Sequence, residues 1–414
     1  MKVFKFGGAS MCDATAIQKV AKIIGDHQHE KILIVVSAMG KTTNALERVL
    51  LDFQAGKDFQ TELQRIRSYH EEIMKELFSL DHSVWKKVSA QFESVLINLQ
   101  ALGTNDQRYD QVVSSGEMIS SIIVADFLLS NGFPIEWIDI RNYISTDDTY
   151  REAKVDWIKT QENVNRLKTI LSDKIILTQG FIGRAPDGFT TTLGREGSDY
   201  SAAILGSCLD ASFVTIWKDV PGVMNADPKR LKEAKVFDEL PFREAAEMTY
   251  YSASVIHPKT IKPLANKNIP LWVKKFDDPS IHGTIIHEIK VDHLPPLIVF
   301  KDDQCLVSCQ VTDYTFINEE QLSFIFLALS ELDIKINVMQ NSAISFSFCI
   351  DFREDKVLKL VERLARQFEV YYNTGLTLIT VKNYDSSSFE EYRNKEGVIL
   401  EQSSRSTLQV LIKN

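Results

Sequence analysis

Residues Thr190–Ala203 read TTTLGREGSDYSAA and connect a β-branched run to a helical segment through a loop with two glycines. Gly194 and Gly197 allow the backbone to turn tightly and to approach a ligand closely, and Ser198 and Asp199 are residue types that begin helices. The free amide groups at the start of a helix bind anions. The stretch therefore predicts an anion-binding loop between a strand and a helix.

Glu196 lies between the two glycines of this loop, where a carboxylate would repel an anionic ligand. At about 4 Å such a repulsion is worth roughly 4 kcal/mol at an effective dielectric constant near 20. We therefore predict that the side chain points away from the ligand path. In that position it would gain from the positive end of the following helix and from a neighbouring cation.

The same order of strand, turn and helix recurs over about the first 290 residues. Apolar β-rich runs such as KVFKF, ILIVVSA, KIILTQGFI and SFVTIWKDV are each followed by a segment with helical periodicity. This alternation is typical of an α/β fold, a mainly parallel sheet flanked by helices that binds ligands at the carboxyl ends of its strands. Between about residues 57 and 107 the strand signal disappears, which predicts a helical insertion in which His70 and His82 are surface or packing residues rather than ligands.

A second region follows the paired prolines Pro295 and Pro296. Its order of strand, helix, two strands, helix and strand predicts a ferredoxin-like α+β module. The remaining sequence offers one short helix and a hairpin, so a second module would be shortened. The predicted domains are therefore residues 1–290 and residues 297–414.

Charge and composition exclude several classes of function. The formal net charge is -9 and no basic block is present, which argues against a nucleic-acid partner. The N-terminus lacks the apolar core of a signal peptide, and the apolar run Ile32–Ala38 is too short to cross a membrane. Five cysteines form an odd, sparse set that suits a reducing compartment, and Cys305 and Cys309 have no second pair with which to bind a metal. We expect a cytoplasmic protein.

Three further polar stretches follow predicted strands. In KFGGAS (Lys5–Ser10), the glycine amides and the Lys5 ammonium suit a phosphoryl group, although a plain strand-to-helix turn would also contain such glycines. In VVSAMGKTTN, Val35 occupies the position of the first P-loop glycine, which excludes a Walker A loop. In SSGEMIS, Glu117 is either a favourable charge at a helix start or a carboxylate that receives an ammonium group. Arg195 would complement the second role, because a guanidinium binds a carboxylate with two parallel hydrogen bonds.

A fourth stretch, WKDVPGVMNADPKR, follows a strand rich in β-branched and aromatic residues. Its loop is suited to hold a nucleotide. Asp219 and Asp227 are equally well interpreted as ordinary turn residues, and spacing alone favours neither reading.

The motif-like stretches of the chain are, in order, KFGGAS, VVSAMGKTTN, SSGEMIS, QGFIG, TTLGREGSDYSAA, WKDVPGV, ADPKR, EAAEM and HPKTI. Together they resemble the motifs of the aspartate kinases of the amino-acid kinase superfamily. The resemblance covers about the first 290 residues, and INVMQNSAISFSFCID resembles the ACT regulatory modules of the same family. It implies phosphorylation of the β-carboxylate of L-aspartate by ATP and Mg²⁺ to 4-phospho-L-aspartate, at the entry to lysine, threonine, methionine and isoleucine synthesis. It also implies a homodimer or higher homo-oligomer through the ACT regions, and an end-product amino acid bound between Asp333 and Ile350.

The resemblance assigns roles to individual positions. The implied catalytic residues, which handle the charge of the moving phosphoryl group, are Lys5 and Asp199. The implied substrate-binding residues are Thr43, Glu117, Arg195, Ser198 and Phe181. The implied nucleotide-binding residues are Gly7, Gly8, Ser10, Ser37, Lys218, Asp219, Met224, Lys229 and Lys259. No metal ligand is implied.

Several positions depart from the family pattern, and these are Ala9, Glu196, Met224, Lys229 and Ser254. Lys259 is expected to compensate for the lysine missing near Ser254. Two alternatives remain open: a kinase of the same fold that acts on glutamate, acetylglutamate, carbamate or UMP, and a catalytically weak amino-acid sensor. The pair of Glu117 and Arg195 favours an amino acid as the acceptor.

Overall fold

The predicted alternation of strands and helices produces a mainly parallel sheet in the N-terminal part of the chain. A computed structural model describes residues 1–251, 256–291, 293–312 and 315–413. The strands up to residue 290 are β1 (Lys2–Phe6), β2 (Ile32–Val36), β3 (Ile135–Trp137), β4 (Ile175–Gln179), β5 (Ile182–Arg184), β6 (Thr190–Thr192), β7 (Phe213–Lys218), β8 (Glu239–Pro241), β9 (Leu271–Lys275) and β10 (Thr284–His287).

Eight of these strands form one sheet in the order β3-β4-β2-β1-β7-β9-β10-β8. Every neighbouring pair is parallel except β9 and β10, and β5 and β6 form a separate antiparallel hairpin. The central strands are apolar on both faces because helices cover both, which is why β2 is buried along its whole length. The predicted α/β fold is confirmed.

The helices of this part are α1 (Ala14–Gly25), α2 (Thr42–Gln54), α3 (Gln60–Leu77), α4 (Val84–Gln100), α5 (Asn105–Val113), α6 (Ser115–Ser130), α7 (Trp157–Asn165), α8 (Leu167–Ile170), α9 (Gly197–Cys208), α10 (Phe242–Tyr250) and α11 (Pro258–Ala265). Helices α3 and α4 form the predicted insertion. His70 of α3 is fully buried, its Nδ1 lies 2.8 Å from the Ile66 carbonyl oxygen, and burial lowers its pKa to about 4. The packing role predicted for His70 is confirmed.

Helix α6 is apolar on all sides because it crosses the core against α4, β3 and β4. The continuous stretch Asn105–Ser130 is long and apolar enough to cross a membrane by composition, but 94% of its apolar window is buried within the protein. That burial is typical of the core helix of a globular protein.

The C-terminal part forms an antiparallel sheet with helices. Its elements are β11 (Leu297–Gln310), α12 (Glu319–Glu331), β12 (Ile336–Asn341), β13 (Ser345–Asp351), α13 (Glu354–Leu364), β14 (Glu369–Lys382), α14 (Ser386–Arg393), β15 (Val398–Ser403) and β16 (Thr407–Lys413). The sheet order is β12-β13-β11-β14-β16-β15. The complete module that the sequence predicts consists of the second half of β11, the first half of β14, α12, β12, β13 and α13. The shortened module contains α14, β15 and β16.

The chain divides into two compact units that do not follow the predicted boundary throughout. The N-terminal unit contains Met1–Val223, Val236–Tyr250 and the described residues from 256 to 290. The segment Met224–Lys235, which the sequence assigned to the first domain, belongs to the C-terminal unit. Within that unit Ala226 packs in an apolar cluster with residues of β11, β14 and β16, and the Ile298 amide donates to the Asn225 carbonyl oxygen at 2.8 Å.

Candidate active site

A cleft of about 520 Å³ lies in the N-terminal unit at the carboxyl ends of several parallel strands. Lys5 is the penultimate residue of β1, Ser37 follows β2, Lys218 ends β7, and the loop before α9 closes another side. This is the edge at which a parallel sheet binds its ligands. The position of the cleft therefore agrees with the fold-based expectation.

The cleft gathers most of the residues that the sequence predicts as site residues. All predicted catalytic and substrate-binding residues line it, together with three of the nucleotide-binding candidates: Lys5, Asp199, Thr43, Glu117, Arg195, Ser198, Phe181, Gly8, Ser37 and Lys218. Gly8 fits here for a steric reason, because a Cβ atom on it would lie 2.7 Å from the carbonyl oxygens of Ala38 and Gly40. Two strand-to-helix turns can therefore approach each other only with glycine at this position.

Two lysines and one carboxylate form the centre of the cleft. Lys5 Nζ lies 2.6 Å from Asp199 Oδ1, and Lys218 Nζ lies 3.1 Å from Asp199 Oδ2. Burial opposes ionisation of Asp199, yet the two lysines more than offset it, so the pKa of this carboxyl lies below its ordinary value. Burial likewise lowers the pKa of Lys218, but Asp199 and Glu196 raise it by more. Asp199 and Lys218 are therefore both ionised at neutral pH, and the cluster offers two lysines to one carboxylate.

Glu117 is buried at the start of α6 with few partners. Its Oε1 accepts from the Ala38 amide at 3.4 Å and from Thr43 Oγ1 at 3.5 Å, whereas Oε2 has no hydrogen-bond partner within the described part of the chain. Burial raises the pKa of Glu117 to about 8. A cation that enters the cleft would supply the missing partner and favour the ionised carboxylate, as the predicted binding of an ammonium group requires.

The raised pKa of Glu117 predicts a pH-dependent difference in stability. In the unfolded chain the carboxyl ionises near its ordinary pKa of about 4.3, so between that pH and about 8 the folded state keeps a proton that the unfolded state has lost. Wild-type stability is therefore lost progressively as the pH rises through this window. Glu117→Gln removes the ionisable carboxyl and with it this pH-dependent loss of stability. Between pH 5 and pH 8 we therefore expect the melting temperature of the variant, relative to that of the wild type, to rise by a few degrees, as measured by scanning calorimetry.

Glu62→Gln is the matched control for this experiment. The pKa of Glu62 is lowered to about 2, mainly by Arg65, so its carboxyl is ionised in both states from pH 5 to pH 8. That variant should keep a constant offset from the wild type. Parallel curves for Glu117→Gln and the wild type would contradict the assignment of a protonated, buried Glu117.

Glu196 occupies the corner of the loop immediately before α9 and has a left-handed backbone with φ +52°. The predicted place before the helix is confirmed, and Glu196 is among the residues that line the cleft. Burial raises the pKa of Glu196, whereas Lys218 opposes the rise, and Oε2 has no hydrogen-bond partner among the described residues. Lys218 is therefore the neighbouring cation that the sequence analysis expected, and the direction of the Glu196 side chain relative to the ligands stays a prediction.

Six nucleotide-binding candidates are not among the residues that line the cleft: Gly7, Ser10, Asp219, Met224, Lys229 and Lys259. Met224 and Lys229 belong to the C-terminal unit. The ammonium of Lys259 forms an ion pair with Glu152, and its expected compensation stays a prediction. Ser254, whose identity led to that expectation, lies outside the described residues.

Two residues of the cleft that no motif indicates are Tyr109 and Arg151. Tyr109 lies in α5, and Arg151 lies in an irregular loop between β3 and α7. Neither position has a periodic or spacing signal. Only the positive φ of +68° at Arg151 marks it as unusual, and that is a property of the structure.

Comparison with known proteins identifies the family. Residues 1–275 match the model of the amino acid kinase family. Over 398 residues the chain is 32% identical to lysine-sensitive aspartokinase 3 of Escherichia coli K12, covering 93% of this chain and 87% of that protein. The chain belongs to the aspartokinases. It is also 27% identical to the bifunctional aspartokinase/homoserine dehydrogenase of Buchnera aphidicola, over 92% of this chain and 50% of that longer protein.

Solved aspartokinases share the whole architecture. Escherichia coli aspartokinase III in complex with aspartate and ADP, in the R-state, superposes with a TM-score of 0.85 at 29% identity, covering 100% of this chain and 96% of that one. The same enzyme in complex with lysine and aspartate, in the T-state, gives a TM-score of 0.84 at 28% identity with the same coverage. The aspartokinase fold therefore extends over both compact units.

Proposed function

We propose that the chain phosphorylates the β-carboxylate of L-aspartate with ATP and so forms 4-phospho-L-aspartate. The observation that carries this proposal is the single cleft in which the Lys5, Asp199 and Lys218 cluster lies together with Glu117 and Arg195. The first group suits phosphate, and the second suits the ammonium and carboxylate of an amino acid. The aspartate and ADP complex of the similar Escherichia coli enzyme supports the same pair of substrates.

The reaction needs positioning and neutralisation of charge rather than covalent catalysis. An oxygen of the β-carboxylate forms a bond to the γ-phosphorus, and the bond from that phosphorus to the bridging oxygen of ADP breaks. No general base is required because the carboxylate is already ionised at neutral pH. Lys5 neutralises the phosphoryl oxygens, Asp199 holds Lys5 and Lys218 in place, and the amides at the start of α9 bind phosphate or carboxylate oxygens.

We also propose that ATP enters as its Mg²⁺ complex. Magnesium is usually held by substrate phosphates and one or two carboxylates, and it would neutralise charge on the phosphates. The cleft fits this requirement, because Asp199 and Glu196 line it and the buried Oε2 of Glu196 has no hydrogen-bond partner among the described residues. Glu196 therefore has a carboxylate oxygen that is available to a magnesium ion.

The decisive experiment follows both products with a panel of acceptors. The purified chain is incubated with Mg-ATP and L-aspartate while ADP release is measured, and hydroxylamine traps the acyl phosphate as aspartyl β-hydroxamate. We expect ADP and hydroxamate in equal amounts with L-aspartate, and neither above background with L-glutamate, N-acetyl-L-glutamate, carbamate or UMP.

Other outcomes point to the alternatives. ADP release without hydroxamate would indicate ATP hydrolysis, and turnover with another acceptor would indicate a different kinase of this fold. A folded chain that binds aspartate but releases no ADP with any acceptor would be an amino-acid sensor.

We propose further that an end-product amino acid binds the C-terminal unit between Asp333 and Ile350. A hollow of about 390 Å³ in this unit, lined by Asp333, Ile334 and Ile336 among others, supports the proposal. The lysine complex of the similar Escherichia coli enzyme agrees with an amino-acid effector. Repeating the kinase assay with lysine, threonine or methionine tests it, and unchanged rates with all three would leave this region a structural role.

Homo-oligomerisation through the C-terminal units and a cytoplasmic location are also proposed. The edge strand β12, which carries the exposed Met339, supports the first proposal. The five free cysteines support the second, because thiols persist in a reducing compartment.

A further inference from the structure

Arg151 is held in the cleft by its backbone as well as by its side chain. Its φ of +68° lies in the left-handed region that non-glycine residues rarely adopt. Its amide donates to both carboxylate oxygens of Asp110, at 3.1 and 3.0 Å, and Asp110 is fully buried. The buried Asp110 carboxylate therefore stabilises the otherwise unfavourable backbone conformation of Arg151.

Asp110 also connects Arg151 to the loop of Arg195. Its two oxygens accept from the amide and the hydroxyl of Thr192, both at 2.8 Å, and Thr192 ends the strand that leads into Gly194 and Arg195. A Cβ atom on Gly194 would lie 3.5 Å from the Arg151 carbonyl oxygen. The two arginines are thus carried by adjoining segments of backbone, and both line the cleft.

The guanidinium of Arg151 is held in one orientation by two neighbouring side chains, and not all of its hydrogen-bond donors have partners among the described residues. Its Nε lies 2.7 Å from Oδ1 of Asp106, and its Cζ lies 4.0 Å from the centre of the Tyr109 ring. Neither terminal nitrogen has a hydrogen-bond partner within the part of the chain that the structure describes. Asp106 and Tyr109 therefore fix the direction of the group and leave a pair of donors with the geometry that matches a carboxylate.

We propose that Arg151 binds the α-carboxylate of L-aspartate together with Arg195, and that it selects for acceptors that carry this second carboxylate. The proposal rests on the proposed function. The β-carboxylate must approach the phosphoryl group beside Lys5, and Glu117 is available for the ammonium group. The α-carboxylate then remains to be neutralised in a cleft that already contains Asp199 and Glu196.

L-Aspartate and its α-amide, L-isoasparagine, separate this role from a general effect on activity. Both offer the same reacting β-carboxylate, but only aspartate has the α-carboxylate. In Arg151→Gly, glycine accepts the positive φ, so the backbone is retained. We expect the KM for aspartate to rise about tenfold, with the KM for ATP and the kcat/KM for isoasparagine unchanged, so that the preference for aspartate falls about tenfold.

Arg166→Gly is the matched control, because it also removes one guanidinium that lies near an aromatic ring, that of Tyr143 at 5.5 Å, and Arg166 does not line the cleft. It should leave the preference unchanged. Asp110→Asn tests the positioning role: it should raise the KM for aspartate in the wild-type background but add little to Arg151→Gly, because the two residues act on the same contact.

The outcomes separate the two proposals. A wild type that does not phosphorylate aspartate overturns the proposed function itself. A wild type that does so, with an Arg151→Gly variant of unchanged aspartate preference, overturns only the role of Arg151. A lowered melting temperature with unchanged preference would show that Arg151 contributes to stability and not to substrate selection.

Discussion

Lys5→Ala is expected to lower kcat for aspartate phosphorylation by about a hundredfold to a thousandfold, which corresponds to about 2.7–4 kcal/mol of lost transition-state stabilisation. Lys5 is the ammonium at the end of the central strand β1, and Asp199 holds it at 2.6 Å. The fold should survive, because Lys218 still pairs with Asp199 at 3.1 Å after the change. Initial rates at saturating ATP and aspartate, with a melting curve of the same preparation, measure both quantities.

Lys19→Ala is the matched control for this variant. Lys19 forms an ion pair of nearly the same length, 2.7 Å, with Asp277, but both side chains are exposed and neither lines the cleft. Its kcat should equal that of the wild type within about twofold, since this exposed ion pair contributes little to the fold and lies outside the cleft. A folded Lys5→Ala variant with a kcat close to that of the control would remove Lys5 from the transition state.

Asp199→Asn is expected to lower both activity and stability. The substitution keeps the shape of the side chain but leaves Lys5 and Lys218 without the carboxylate between them. Removing one partner from a buried ion pair costs about 3–5 kcal/mol of unfolding free energy, because the remaining charge is uncompensated. We expect a loss of that order in chemical denaturation and a fall in kcat of at least about a hundredfold.

The difference between the two variants is itself a test. Lys5→Ala retains a charge-balanced pair, whereas Asp199→Asn does not, so only the second should lose several kcal/mol. Asp277→Asn repeats the change in the exposed pair and should leave the free energy of unfolding nearly unchanged. Equal stability of the Asp199→Asn and Asp277→Asn variants would mean that the cluster is not a buried ion pair in solution.

The sequence was sufficient to predict the fold because its signals are local. Alternating apolar runs and helical segments define β1, β2, β4 and β7 with their helices, and the loss of the strand signal marks the inserted helices α3 and α4. The catalytic and substrate candidates came from the resemblance to the aspartate kinases, and the fold explains why they meet in one cleft. Each lies at a strand end or a helix start, and the topology of a parallel sheet brings those positions to one edge.

The features that the sequence did not indicate are contacts between distant parts of the chain. Arg151 is positioned by Asp110, 41 residues earlier, and Lys259 forms an ion pair with Glu152, 107 residues earlier, so no local pattern could indicate either contact. A cation was expected beside Glu196, but its identity as Lys218 follows only from the folded structure. The placement of Met224–Lys235 likewise depends on packing against β11, β14 and β16, which all follow far later in the chain.

The long strands β11 and β14 have a consequence for how the C-terminal unit responds to disturbance. Each runs through both modules without a break in the chain, and they stay paired on either side of the register shifts between Lys301 and Leu306. The two modules therefore share one continuous sheet. A substitution that disrupts these strands in one module also removes hydrogen-bonded neighbours from the other module, so it destabilises both. The C-terminal unit should therefore unfold in a single cooperative transition.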